Sequence, residues 1–268
     1  MEIWFILFWL AIGLFFGIGS GMTGLSAVNL ILPILYTVFS FGILMAIGTS
    51  LFIDMINSAI VALFYARYAN VDFKIGLMMG IISFMFAILG AHVAFIIASA
   101  SEDFLAGSFG ILQLFIGVAF IYRGLKKSES TESGEMTKTR VAIWFDKIPD
   151  NYKKFIIIIA SVILGFIGGL LGAGGGFVIT FILIFLLSLE SHKAVGTACF
   201  VMLFTTAGAV LYYSTQFSID FGFGGLIGVF SIIGAFIGTQ AAHKLSEKHL
   251  TFALGLIIMV FGIVMIFY

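Results

Sequence analysis

One acidic residue stands inside an apolar stretch, and polar residues recur around it at helical spacing. Asp54 lies within the apolar segment 43–66. Ser50, Asn57 and Ser58 are three or four positions from it and therefore fall on the same helix face. A carboxyl group inside a membrane is costly and is a functional candidate by default. We predict that Asp54, together with Asn57, carries a proton or helps to hold a coupling cation. The alternative is a neutral carboxyl that is hydrogen-bonded within a helix bundle.

Two glycine-rich stretches interrupt apolar segments. They are "GSGMTGLS" at Gly19–Ser26 and "GGLLGAGGG" at Gly168–Gly176. Each glycine weakens a helix by about 1 kcal/mol, and the second stretch contains three in a row, so a helix break is expected where the glycines interrupt the apolar runs. Backbone N–H groups at a new helix start attract anions. The predicted substrate-binding residues of these stretches are Gly21, Thr23, Gly24, Ser26, Asn29, Gly172, Gly174, Gly175 and Gly176. The alternative is that the glycines only let the chain turn.

Hydroxyl groups accompany both breaks. "GTS" (48–50) and "GTA" (196–198) open the next apolar segments. Thr49, Ser50 and Thr197 are predicted to donate hydroxyls to the substrate, unless they bond back to the preceding turn of their own helix. His92 is a further candidate for substrate binding, with a hydrogen-bonded packing role as the alternative.

The composition decides which kind of protein positions these groups. Of 268 residues, 62% are hydrophobic and only 10% are charged, whereas soluble domains carry about 25% charged residues. We therefore predict an all-α polytopic membrane protein whose partners are the lipid bilayer and a small anion. The formal net charge of zero gives no support to nucleic-acid binding. No cofactor and no metal site are predicted, because the four histidines and one cysteine lack metal-ligand spacing.

The apolar runs form five segments on each side of a polar stretch. The first two of each five are short or re-entrant, since a span needs about 20 residues. The segments are 3–18, 25–41, 43–66, 74–98 and 104–122, then 155–171, 175–189, 194–214, 221–242 and 250–267. The predicted units are a first membrane repeat (1–122), a linker (123–154) and a second membrane repeat (155–268). The protein is predicted to lie in the cell membrane. Its basic linker is predicted to be cytoplasmic, and both termini are predicted to be outside.

The two sets of segments are an internal duplication. "AIGTS" at Ala46 recurs as "AVGTA" at Ala194, an offset of 148 residues. The same offset pairs Gly24 with Gly172, and many other glycines follow it. Each half crosses the membrane an odd number of times, so the halves are predicted to be inverted. Inverted repeats with interrupted segments at matching positions are typical of secondary transporters, whose substrate lies between the repeats.

At these motifs the chain resembles the TauE/SafE family of sulfite and organosulfonate exporters. The family pattern is a duplicated "GxxGxGGG" stretch followed by "AxGTS", matched closely at 169–176 and 194–198 and more weakly at 21–26 and 46–50. The second copy ends in Ala198 instead of serine. The resemblance implies transport, directed outward, of a small sulfur-containing oxyanion such as sulfite, thiosulfate or a sulfonate.

Other functions are weighed against this one. An anion channel, or a transporter of another small organic acid, is compatible with inverted repeats. ATP drive within this chain is excluded, because no Walker A sequence occurs. An intramembrane enzyme is not predicted, since a di-aspartyl site needs two deep acids and only Asp54 is available. A homo-oligomer is compatible with the sequence, which does not determine the oligomeric state.

Overall fold

A computed structural model describes residues 3–26, 28–126, 150–172, 175–187, 189–241 and 247–268 of the chain. All the regular secondary structure in these residues is helical, which confirms the predicted all-α polytopic class. The ten helices described are α1 (Ile3–Thr23), α2 (Val28–Thr37), α3 (Ile43–Arg67), α4 (Phe73–Ala100), α5 (Glu102–Lys126), α6 (Asp150–Leu171), α7 (Gly176–Leu187), α8 (Ser191–Thr215), α9 (Phe221–Ala241) and α10 (Glu247–Phe267).

Helix length separates the elements that can cross a bilayer from those that cannot. Six helices are long and apolar enough to span by length and composition. By contrast, α2 has 10 residues and α7 has 12, well short of the ~20 that a span requires. The short second segment of each repeat is thus confirmed. The first segments are longer than predicted, at 21 residues in α1 and 22 in α6, because the helices continue into the glycine-rich stretches and the linker.

The packing of the helices follows the duplication. Helix α1 of the first repeat lies against α9 of the second, and its counterpart α6 of the second repeat lies against α4 of the first. A side chain added at Gly17 would collide with the backbone of Ser231, and one added at Gly165 would collide with the backbone of Ser83. Both residues of one contact are shifted by 148 positions in the other. The offset read from the sequence is therefore a pseudo-two-fold symmetry of the fold.

Corresponding helices run in opposite directions. In the α5–α10 pair, Gly110 approaches Gly262 and Gly117 approaches Gly255, which is an antiparallel arrangement. The central helices α3 and α8 are likewise antiparallel, since Gly48 contacts Tyr213 and Gly196 contacts Tyr65. Two equivalent helices can be antiparallel only when the repeats that contain them are inverted.

Small residues set the distance between the helices. A Cβ atom at Gly80 would lie 2.8 Å from the ring of Phe204, and a Cβ at Gly228 would lie 2.8 Å from Ile56. These glycines lie on α4 and α9, at the faces that pack on α8 and α3. Close packing through glycines is usual for membrane helices.

Candidate functional site

Each glycine-rich stretch ends one helix and begins another. The N–H of Gly24 donates to the carbonyl of Ser20 at 2.8 Å, which closes α1. Gly24 has φ +71° and Gly172, after α6, has φ +73°. This left-handed conformation is the usual way for glycine to terminate a helix. The chain breaks at the same place in both repeats, so the predicted helix breaks are present.

The two breaks meet between the repeats. A Cβ atom at Gly176 would collide with the carbonyl oxygen of Gly24 and with the thioether of Met202. Gly24 also lies beside Val195 and Cys199 of α8. Gly172 of the second repeat is packed in the equivalent way against the first repeat, where the nearest atoms belong to Val28, Ile47 and Leu51. The loop of each repeat is therefore lined by the short helix and the central helix of the other.

The start of α7 presents backbone donors at this junction. Its first intrahelical bond runs from the N–H of Ile179 to the carbonyl of Gly175, at 2.7 Å. The N–H groups of residues 176 to 178 have no acceptor within the helix, as in the first turn of every α-helix. The helix dipole adds partial positive charge at the same point. This geometry favours a bound anion.

A buried polar face of α3 lies against the first break. The hydroxyl of Ser26 donates to Asp54 Oδ2 at 2.5 Å, and Asn57 Nδ2 donates to the hydroxyl of Ser20 at 2.6 Å. Asp54, Asn57 and Ser50 are each fully buried. Three side-chain atoms of this face have no hydrogen-bond partner among the described residues: Ser50 Oγ, Asn57 Oδ1 and Ser58 Oγ. We call Ser50, Asp54, Asn57 and Ser58 the α3 polar face.

The equivalent face of the second repeat is satisfied internally. Its residues at the same offset are Ala198, Met202, Thr205 and Thr206. Thr205 donates to the carbonyl of Val201 at 3.1 Å, and Thr206 donates to that of Met202 at 2.8 Å. The scaffold is symmetric, but of these two described faces only the α3 polar face carries unpartnered polar atoms.

The threonines of "GTS" and "GTA" join the two repeats. Thr49 Oγ1 accepts the backbone N–H of Asp220 at 3.0 Å, and Thr197 Oγ1 accepts that of Asp72 at 2.9 Å. Thr197 also bonds back to the carbonyl of Lys193 at 2.7 Å. We call these two contacts the threonine clamps. Since α3 and α8 are antiparallel, the clamps lie toward opposite ends of the bundle.

Thr49→Val is expected to reduce stability more than substrate affinity. Valine keeps the shape of threonine but leaves the N–H of Asp220 without its acceptor, which costs about 1–3 kcal/mol when the group is buried. Thr197→Val should have the same effect at the other end of the bundle. The thermal unfolding midpoint and the KM for transport would be measured together. Thr206→Val is the matched control, because its hydroxyl only bonds back within α8. A raised KM at unchanged stability would show instead that Thr49 contacts substrate.

The other candidate residues are placed unequally. Thr23 bonds back to the carbonyl of Gly19 at 2.8 Å. Gly21 lies against the backbone of Ala235, and its carbonyl accepts the Tyr65 hydroxyl at 3.0 Å, so it is a packing position. The backbone carbonyl of Asn29 accepts from Gln113 Nε2.

Two further candidates do not lie at the junction as described: one is distant from it, and the other is outside the described residues. His92 is exposed and its Nδ1 lies 2.7 Å from the hydroxyl of Tyr212. Tyr212 is ten residues along α8 from Met202, or about 15 Å at the helical rise. The structure does not bring His92 together with the other candidates. Gly174 lies outside the described residues.

Three residues at or near the junction were not among the predicted site residues. Ser20 and Gln113 are polar residues within apolar segments, and that isolation was the signal that could have marked them. Met202 reaches the start of α7 but is chemically ordinary, and nothing in the sequence distinguishes it except its offset from Asp54.

Comparisons with known proteins agree with this architecture. The profile of the family described as "Sulfite exporter TauE/SafE" matches residues 9–265. The chain is 29% identical to the Probable membrane transporter protein MJ0441 of Methanocaldococcus jannaschii, over 95% of this chain and 90% of that protein. It is 26% identical to the Probable membrane transporter protein YjnA of Bacillus subtilis, over 95% and 97%. No solved structure matches significantly. The match spans both repeats, and the chain therefore belongs to the sulfite exporter TauE/SafE family of multi-pass membrane transporters.

Proposed function

We propose that this protein is a secondary transporter that exports a small sulfur-containing oxyanion by alternating access between its inverted repeats. The observation that carries the proposal is the meeting of the two helix breaks, where Gly176 at the start of α7 contacts the carbonyl of Gly24. Discontinuous helices at matching positions of inverted repeats form the substrate sites of many secondary transporters.

The chemistry of the junction supports an oxyanion as substrate. The first turn of α7 offers several N–H donors in one direction, and the unpartnered hydroxyl of Ser50 can donate from α3. Sulfite, thiosulfate and sulfonates present several acceptor oxygens on one sulfur atom, which such a set of donors can contact together. The description of the family adds sulfite export to this chemical argument.

The charges at the ends of the bundle support an orientation. Arg67 and Lys74 lie at one end, where Lys193 comes within 3.9 Å of Asp72. Glu102 and Asp220 lie at the other end, at the starts of α5 and α9. The linker leaves α5 at the basic end, which by the positive-inside rule would be cytoplasmic. Both termini would then be outside the cell membrane.

Flux measurements test the proposal. Purified protein in inside-out proteoliposomes is expected to take up radiolabelled sulfite, thiosulfate or sulfoacetate at a saturable rate, and unlabelled substrate inside should accelerate uptake by counterflow. Sulfate, chloride and acetate are the comparison anions, and protein-free liposomes give the background. Absence of flux for every sulfur oxyanion would refute the substrate class. Unsaturable flux without counterflow would identify a channel, and preference for acetate would identify an organic-acid transporter.

A further inference from the structure

We infer that the α3 polar face is a sodium site, adjacent to the anion site at the start of α7. Cation binding itself does not depend on the proposed function, whereas its role as the coupling ion does.

The available atoms of this face are oxygens with an excess of acceptors. The amide nitrogen of Asn57 is committed to Ser20, at 2.6 Å, so its unpartnered Oδ1 can only accept a hydrogen bond or coordinate a cation. The proton of the Ser26 hydroxyl points to Asp54, which leaves the lone pairs of that hydroxyl available. Ser50 Oγ and Ser58 Oγ are two further oxygens without a hydrogen-bond partner in the described part of the chain.

The helical spacing brings Asp54 close to each of the other members of this face. Ser50 is four positions before Asp54, and Ser58 is four positions after it, so their Cβ atoms are each about 5–6 Å from that of Asp54. Ser50 and Ser58 are themselves about 12 Å apart along the helix axis, so they do not share one small ion. Asn57 is on the same face at a spacing of three. A small ion on the Ser50 side of Asp54 could therefore be reached by the Ser50 hydroxyl, the Asp54 carboxylate and the amide oxygen of Asn57.

The charge of the surroundings favours a monovalent cation. The helices α1, α2 and α9, which pack on α3, contain no lysine or arginine, and neither does α7 across the junction. In the other helices that pack on α3, the basic residues of α4, α5 and α8 lie near helix ends, apart from His92 of α4, which is exposed. One carboxylate with neutral oxygens matches the charge of Na⁺, whereas calcium sites commonly combine several carboxylates in a set of six to eight oxygens. A proton alone would engage Asp54 but would leave Asn57 Oδ1 and Ser50 Oγ without a role.

The position of this face gives the site a neighbour of opposite charge. Across the junction, the second repeat presents backbone N–H groups at the start of α7, with Ala198 and Met202 in place of Ser50 and Asp54. The unpartnered oxygens of the α3 polar face therefore lie on the first repeat, beside N–H donors of the second repeat. A cation and an anion bound on the two sides would lower each other's cost of burial, which is the physical basis of obligatory coupling.

The test measures sodium binding directly, without substrate. Full-length protein in detergent would be examined by scintillation proximity with ²²Na⁺ and by thermal unfolding in NaCl, KCl or choline chloride at constant ionic strength. We expect Na⁺ alone to raise the unfolding midpoint. Ser50→Ala, which installs the residue of the second repeat, should weaken Na⁺ binding at least about tenfold. Asp54→Asn should abolish it. Thr206→Val, at the position equivalent to Ser58, should bind Na⁺ like the wild type.

Each outcome bears on the inference. Equal stabilisation by Na⁺, K⁺ and choline would overturn it, as would an unchanged Na⁺ affinity in Ser50→Ala. An equal loss in Thr206→Val would show a general packing effect and would also overturn it. If Asp54→Asn does not fold, Ser50→Ala still decides the question. Sodium binding without any anion flux would contradict the proposed function and leave the cation site standing.

Discussion

Gly176→Ala is expected to reduce anion transport to the level of protein-free liposomes. The added methyl group would occupy the space of the Gly24 carbonyl and the Met202 thioether. The side chain of Met202 can rotate away, but the carbonyl belongs to the backbone of the first break and cannot. The two breaks would separate, and the donors at the start of α7 would move away from the α3 polar face.

The matched control for this variant is Gly225→Ala. Gly225 is also a glycine of a membrane helix, but an added methyl group there would meet no atom within 4 Å. It should transport like the wild type, and both variants would be checked for folding by size-exclusion chromatography. Normal transport by a well-folded Gly176→Ala protein would show that close contact between the breaks is not needed. Gly176→Ala with Met202→Ala should stay inactive, because the carbonyl clash remains.

Gly90→Ala and Gly238→Ala are expected to destabilise the protein strongly and to similar extents. These residues are equivalent by the 148-residue offset. A methyl group at Gly90 would overlap the carbonyl of Phe166 and lie 2.9 Å from the N–H of Leu170. At Gly238 it would overlap the carbonyl of Ile18. Overpacking typically costs about 1–3 kcal/mol, and backbone atoms on the opposite side allow little relief.

Thermal unfolding midpoints in one detergent would measure this pair. Gly107→Ala is the control, since an added methyl group there has no neighbour within 4 Å. The two variants should fall together below it. A large drop in only one of them would mean that the α1–α9 and α4–α6 interfaces do not contribute equally, despite their symmetry.

The sequence predicted the parts of this fold that follow from local pattern and repetition. The lengths of the apolar runs predicted the helices, and the paired glycines predicted the helix breaks. The breaks were predictable because Gly24 and Gly172 terminate helices by their own backbone conformation. The length of α1 was underestimated, since a membrane helix tolerates Gly19 and Gly21 where packing compensates.

Contacts between distant residues could not be predicted in this way. Thr49 lies among substrate candidates in the sequence, yet its partner Asp220 is 171 residues away on the other repeat. The bond from Ser26 to Asp54 likewise depends on how the first break packs on α3, not on helical spacing. Symmetry predicted that the repeats would match, but not that unpartnered oxygens would remain only on the α3 polar face among the two equivalent faces.

The threonine clamps affect which of its two conformations the proposed alternating-access carrier favours in the absence of substrate. Both clamps are formed here, and each consists of the same hydrogen bond. Among the described residues, only the clamp of Thr197 has a cation beside it, Lys193 at 3.9 Å from Asp72, because the equivalent of Lys193 is Met45. An exposed ion pair contributes about 0–1 kcal/mol, so closure at that end would be favoured by up to about fivefold. In the alternating-access carrier proposed above, one surface lysine would thus favour one of the two states in the absence of substrate, and rising ionic strength should bring the two states toward equal population.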